Sequence, residues 1–375
     1  MPLSSRKKIL FSSLAVLTVT TCSEFGARLV NAPECKPIQP DAGDWETMIG
    51  DAELLWALEP NRSFQTGPDL TRINELGLRE QSLPKPKQPH ERRIVVTGDS
   101  SIYGWGVTDN ETYAVQLERQ LNARFPEHIE VINLGVPGYS TEQTIRLLNK
   151  IGWQYEPDLL IVSNIFSDCN IDAFQDRRAM QMSSSPEGFR GLLHQSRLYC
   201  SIYMPWVTWQ STLNQNPNRV FMPGIPVGAN AAVTLEELNT TLSLSRVPIP
   251  QYLENLEIIR SEAQSRGAQM MLAPLAQEWD AGLWNVPMPK PAADHVLPWQ
   301  PYRTAQKQWA DKHNIKVLSF PDVFATYKGD KRKLFVDNMH PSRQGHIIMA
   351  QAVAEQLIRN PEMLRLSPSQ RHSPR

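Results

Sequence analysis

Ser100 follows Gly98 and Asp99, and near the other end of the chain Asp337 and His340 stand three positions apart, just before Pro341. Serine, histidine and aspartate are the parts of a nucleophile, a general base and an orienting carboxylate. An alcohol of ordinary acidity attacks poorly at neutral pH, so Ser100 needs a base within hydrogen-bond reach. His340 is the candidate. Asp337, one turn earlier, can accept the proton on the other ring nitrogen and so fix tautomer and orientation. Attack on an ester also generates an oxyanion, which needs preorganised donors.

These residues need elements to position them. Residues 93–97, Arg-Ile-Val-Val-Thr, form a short β-branched run that predicts a buried parallel strand. A serine just past its carboxyl end stands where open α/β sheets bind ligands. Further strands are predicted at 129–134, 159–163, 269–273 and 315–320. Helices are predicted at 113–125, from a cap at Ser140 or Thr141 to 151, at 252–266 with Gly267 as the stop, at 302–313, and after a Ser342 cap. This alternation of strand and helix predicts a mainly parallel five-stranded sheet with helices on both faces.

Three segments resemble motif blocks of the GDSL/SGNH hydrolase superfamily, over most of residues 70–360. The run from Gly98 to Val107 is similar to the first block, Asn133 to Ser140 to the second, and Asp337-x-x-His340 to the fifth. The third, Gly-x-Asn-Asp in the family, falls on Ile165-Phe166-Ser167-Asp168 when counted from Pro157-Asp158, so its glycine and asparagine are absent. The resemblance implies an α/β, three-layer flavodoxin-like sandwich and a catalytic Ser100–His340–Asp337 triad. For the oxyanion it implies the N–H groups of Ser100 and Gly135, the latter's missing Cβ allowing close approach to substrate. The third strand should add a side-chain donor: Ser167 by position, or Asn164, which carries the amide but lies three residues early. Asp99 is expected to hold the turn. The implied activity is hydrolysis of an ester on a small molecule or a glycan through an acyl-enzyme, with a small acyl group such as acetyl. The same parts would serve an acyltransferase acting on a glycan hydroxyl, and the fold alone could persist in a non-catalytic envelope protein.

Two insertions interrupt the alternation, at 170–250 (with a helix expected at 196–209) and at 274–300. The second leaves the carboxyl end of the fourth strand, so Trp279, Trp284 and Trp299 are expected to line the substrate, the alternative being that they fasten the loop. Trp105 has the same two alternatives, an acyl pocket or the core. A bridge between Cys169 and Cys200 would staple the first insertion beside the site; the alternative is two buried thiols.

The chain has 375 residues, and 38 Lys and Arg balance 39 Asp and Glu, so nothing attracts it generally to nucleic acid or to an anionic membrane. No zinc-ligand spacing and no phosphate loop is found, and no cofactor or metal is expected. Residues 1–30 place Arg6, Lys7 and Lys8 before an apolar run, as in a signal peptide or an N-terminal membrane anchor, and Cys22 stands where a lipoprotein cysteine would. Export to the periplasm or cell envelope, with membrane attachment through the N-terminus, is therefore expected. Residues 31–90 should form a proline-rich extension packed on a hydrolase domain at 91–360, and 361–375 should be a disordered tail.

Overall fold

The computed structural model describes residues 5–32, 48–66, 69–81, 83–170, 175–183, 188–203, 205, 233–234, 245–283 and 295–366. Its centre is a five-stranded sheet of β1 (Glu91–Gly98), β2 (His128–Gly135), β3 (Leu159–Val162), β4 (Gln269–Leu272) and β5 (Lys316–Val317). Every pairing is parallel, in the order β5-β4-β3-β1-β2. Ile94, Val95 and Val96 of β1 and all four residues of β3 are fully buried, as a parallel sheet covered on both faces requires. The chain moves outward from β1 to β2 and then returns to the far side of β1 for β3. Right-handed crossovers therefore send successive helices to opposite faces, and the crevice at the carboxyl end of β1 is the topological switch point.

Helices among the described residues include α1 (Ser5–Leu29), α2 (Ser100–Tyr103), α3 (Tyr113–Asn122), α4 (Thr141–Lys150), α5 (Phe166–Cys169), α6 (Asp176–Ser183), α7 (Gly188–His194), α8 (Ile249–Ser265), α9 (Trp299–His313), α10 (Phe320–Thr326) and α11 (Arg343–Arg359). α3 packs against α11, and α8 packs against both α4 and α9. Of the two candidate caps for α4, Ser140 is the one used, its side chain accepting from Gln143 N–H. The edge strand β5 is shorter than expected because Ser319 caps a helix that starts at Phe320. α3 stops at Asn122, whose side chain turns to bond both backbone groups of Ile129.

Two hairpins of the N-terminal extension, Met48–Asp51 with Leu55–Leu58 and Ser63–Thr66 with Asp69–Arg72, lie against the domain. Trp56 is the anchor. Its Nε1–H donates to Pro137 C=O, its own carbonyl accepts from Tyr139 O–H, and its ring meets that of Tyr139 edge-on.

Three expectations need correction. Cys169 is a free buried thiol and Cys200 is disulfide-bonded, so no bridge joins the two; Cys35 lies outside the described residues. The chain beyond Pro361 does not start as a disordered tail: Pro361–Leu364 is a 3-10 turn with Leu364 fully buried, held by apolar contact, while 367–375 lie outside the described residues. Of the insertion helix expected at 196–209, residues 197–203 and 205 are helical and most of the rest lies outside the described residues. Among the described residues no helix is long and apolar enough to cross a membrane.

Candidate active site

β1 ends at Gly98 and the chain turns at once into α2. Asp99 caps that helix, its carboxylate accepting from Ser101 N–H at 3.0 Å, so Ser100 is the first helical residue, at the mouth of the switch-point crevice. Burial pushes the Asp99 carboxyl up to about 6, even though the Ser101 N–H and the nearby His340 pull it down. The Ser100 N–H meets no acceptor among the described residues.

Asp337 and His340 sit on a loop pinched at its base. Phe335 and Pro341 form an antiparallel bridge, and Val336 N–H donates to His340 C=O at 2.9 Å. Glu278 N–H, from the segment after β4, donates to Asn338 C=O at 3.0 Å and holds the loop's tip. His340 Nε2 lies 2.8 Å from Ser100 Oγ, and His340 Nδ1 lies 2.6 Å from Asp337 Oδ2. Burial alone would raise the Asp337 carboxyl. The hydrogen bonds and charge of His340, with the N–H of Met339, outweigh this and hold it below its usual range. Trp105 is partly exposed beside them, its ring centroid 5.8 Å from that of His340.

The expected oxyanion donors separate. Gly135 is not available: its N–H donates to Asn133 Oδ1 at 2.9 Å. A Cβ there would lie 2.3 Å from the backbone nitrogen of Tyr103, so this glycine makes room for α2 and not for a substrate. Sequence reasoning missed the next glycine in that segment. Gly138 is buried, has φ of +76°, and its N–H meets no acceptor among the described residues. Asn164 is fully buried and tied down, its amide donating to Tyr139 C=O and accepting from the Thr144 hydroxyl. Ser167 is buried at the start of α5 with no side-chain bond among the described residues.

Two buried arginines, which nothing in the sequence singled out, brace these loops. Arg246 grips Asp176 through two nitrogens at 2.8 Å each and donates to Gly138 C=O and to Gln143 Oε1. Arg79 donates to Gly104 C=O and Val107 C=O, both at 2.6 Å, and pairs with Asp109, fixing the turn that carries Trp105. Beneath them the Asp168 carboxylate accepts from both the N–H and the hydroxyl of Thr141. Burial nevertheless pushes Asp168 up to about 7.

The tryptophans of the second insertion divide likewise. Trp299 is 1 % exposed and packs edge-on against Phe166, which places it in the core and removes it from any substrate wall. Trp279 is half-buried against the core, and Trp284 lies outside the described residues. Among the described residues no cluster of His, Cys, Asp and Glu could hold a metal ion.

The site is thus a serine at the switch point of a 2-1-3-4-5 parallel sheet, faced by a loop that carries a histidine and an aspartate. The sequence model of the GDSL-like Lipase/Acylhydrolase family matches residues 96–348, about two thirds of the chain, and the chain belongs to that family. A search of the curated proteins found no match. Among solved structures, the chain is similar to a lipase/acylhydrolase from Enterococcus faecalis, with a TM-score of 0.41 and 16 % identity over 71 % of this chain and 95 % of that one. An acetylxylan esterase from Geobacillus stearothermophilus gives a TM-score of 0.41 and 14 % identity over 74 % and 95 %. A psychrotrophic esterase from Pseudoalteromonas sp. gives 0.40 and 12 % over 72 % and 99 %.

Proposed function

We propose that this family member is a serine esterase that works through an acyl-enzyme. The observation that carries the proposal is the unbroken line Ser100 Oγ–His340–Asp337, with both contacts under 3 Å. Ser100 Oγ attacks the ester carbonyl while His340 Nε2 takes its proton, and Asp337 holds the ring and offsets the charge it gains. Collapse of the tetrahedral intermediate expels the alcohol, which receives that proton from His340. Water, activated by the same imidazole, then frees the acid and restores Ser100.

The developing oxyanion is placed against the N–H groups of Ser100 and Gly138, with the Ser167 hydroxyl as the third donor. A small acyl group such as acetyl suits a nucleophile only 9 % exposed. Trp105, beside His340, offers a flat face to the acyl or alcohol part. The test is hydrolysis of a short and a long nitrophenyl ester, with Ser100→Ala as control and a fluorophosphonate probe to trap the serine. Wild type should prefer the short ester and take the label, and Ser100→Ala should do neither. Near-normal turnover by Ser100→Ala would overturn the proposal.

A further inference from the structure

α1 leaves the domain with its apolar residues uncovered. Residues 11–22 are all exposed, and Phe11, Leu14, Val16, Leu17 and Val19 are each more than half exposed. At 100° per residue these five point around the whole helix and form no stripe for a protein groove. Three threonine hydroxyls of the helix are satisfied internally: Thr18 O–H donates to Leu14 C=O, Thr20 O–H to Val16 C=O and Thr21 O–H to Leu17 C=O. A helix in hydrocarbon needs that arrangement, since hydrocarbon offers no partner to a hydroxyl. Arg6, Lys7 and Lys8 precede the apolar run and complement anionic headgroups.

The other end of α1 is clamped to the first insertion. The Glu24 carboxylate accepts from Ser196 Oγ at 2.7 Å and from the N–H groups of Arg197 and Leu198 at 3.1 and 3.0 Å. It thereby caps the helical turn at 197–203. Arg28 bonds Glu24 and Gln195 C=O, and Arg197 bonds Ala32 C=O. The insertion helices carry two more exposed apolar residues, Leu192 at 67 % and Ile202 at 70 %, beside stacked Tyr199 and Tyr203 rings 5.2 Å apart. Tyrosines beside exposed aliphatic side chains are the composition of a bilayer interface.

We propose that α1 and the insertion helices around Leu192 and Ile202 form one lipid-binding surface, occupied by an anionic phospholipid bilayer. The Glu24 clamp then fixes the catalytic domain relative to that bilayer, so the enzyme acts at a membrane surface.

The test is flotation of the full chain with phosphatidylcholine–phosphatidylglycerol vesicles, read beside turnover of a soluble nitrophenyl ester. Wild type should float, and Leu14→Arg/Leu17→Arg should lose at least tenfold of the vesicle-bound fraction with turnover unchanged. Hydrogen exchange at residues 192–203 should slow when vesicles are added. Wild type remaining at the bottom of the gradient, as monomer or paired through α1, would overturn the proposal, and so would a double-arginine variant that floats like wild type. Unchanged exchange at 192–203 would remove the insertion from the surface. N-terminal sequencing that shows the mature chain to begin beyond Val19 would also sink the idea.

Discussion

One carboxylate holds His340 at two points. Asp337 Oδ1 accepts from the His340 backbone N–H at 2.7 Å, while its Oδ2 faces the ring nitrogen Nδ1 at 2.6 Å. The three-residue spacing makes this double grip possible, because a single turn brings both atoms of one histidine to one side chain. The consequence is a ring whose position and tautomer are set before substrate arrives.

Removing the reacting groups should therefore cost more than removing the holder. Ser100→Ala and His340→Ala should each lower kcat on the order of 10^4- to 10^6-fold, and Asp337→Ala by at least tenfold less. Thermal unfolding should stay near wild type for Ser100→Ala. Steady-state kinetics beside a melting curve check this, and equal losses for Asp337→Ala and His340→Ala would assign Asp337 more than an orienting part.

The raised carboxyls of Asp99 and Asp168 make stability depend on pH. Both Asp99 (about 6) and Asp168 (about 7) bind protons more tightly folded than unfolded, where an aspartate titrates near about 4. Their contribution is thus complete below that value and is lost as pH rises through about 6 to 7. Asp337, shifted downward, acts in the other window: its contribution is present above about pH 4 and is lost on further acidification. Asp168→Asn keeps an acceptor for Thr141 and removes one titration. Its Tm, relative to wild type, should rise steadily between about pH 5 and about pH 8. A constant difference across that range would show that Asp168 stays ionised.

Much of the fold was legible in the sequence because parallel strands buried on both faces are written as short β-branched runs, as at Ile94-Val95-Val96 and Leu159-Leu160-Ile161-Val162. Ser100, Asp337 and His340 were legible because the chemistry restricts their types. The loops between were harder. Gly135 and Gly138 look alike in sequence, and what separates them is three-dimensional: Tyr103 crowds the first and Asn133 takes its N–H, while the second has φ of +76° and an N–H with no acceptor among the described residues. For Trp299 the sequence leaves open a substrate wall or a loop fastener, and its place at the start of α9 turns it inward onto Phe166, as a fastener. Arg79 and Arg246 left no signal, since a buried guanidinium and a solvated one are the same letter.

Ser167 and Asn164 should now part company on different measurements. Asn164→Ala strands the Tyr139 carbonyl and the Thr144 hydroxyl in the core, at about 1–3 kcal/mol for each unsatisfied group. It should lower Tm by several degrees. Ser167→Ala removes no described bond and should leave Tm alone while lowering kcat roughly a hundred- to a thousandfold. If Ser167→Ala turns over normally, the oxyanion is served by backbone N–H groups only.

Arg79 ties the N-terminal extension to the turn that carries Trp105. Its guanidinium is almost fully buried and bonds the carbonyls on both sides of that residue's turn, at Gly104 and Val107. Gly106, in the same turn, leaves no more than 3.0 Å for a Cβ before Val336, the neighbour of Asp337, so the turn has little room to drift unless released. Arg79→Met keeps much of the side chain's bulk but unpairs those carbonyls and Asp109. Substrate binding against Trp105 should suffer, while the Ser100–His340–Asp337 line, whose serine stands at the opposite end of α2 from the Arg79 contacts, should stay intact. KM should therefore rise several-fold with kcat within a few-fold of wild type. Trp105→Ala should raise KM by a similar factor, and the double variant should be little worse than either single one, since both remove the same contact. Additive losses in kcat/KM would mean that Arg79 serves the fold alone and that the turn is held without it.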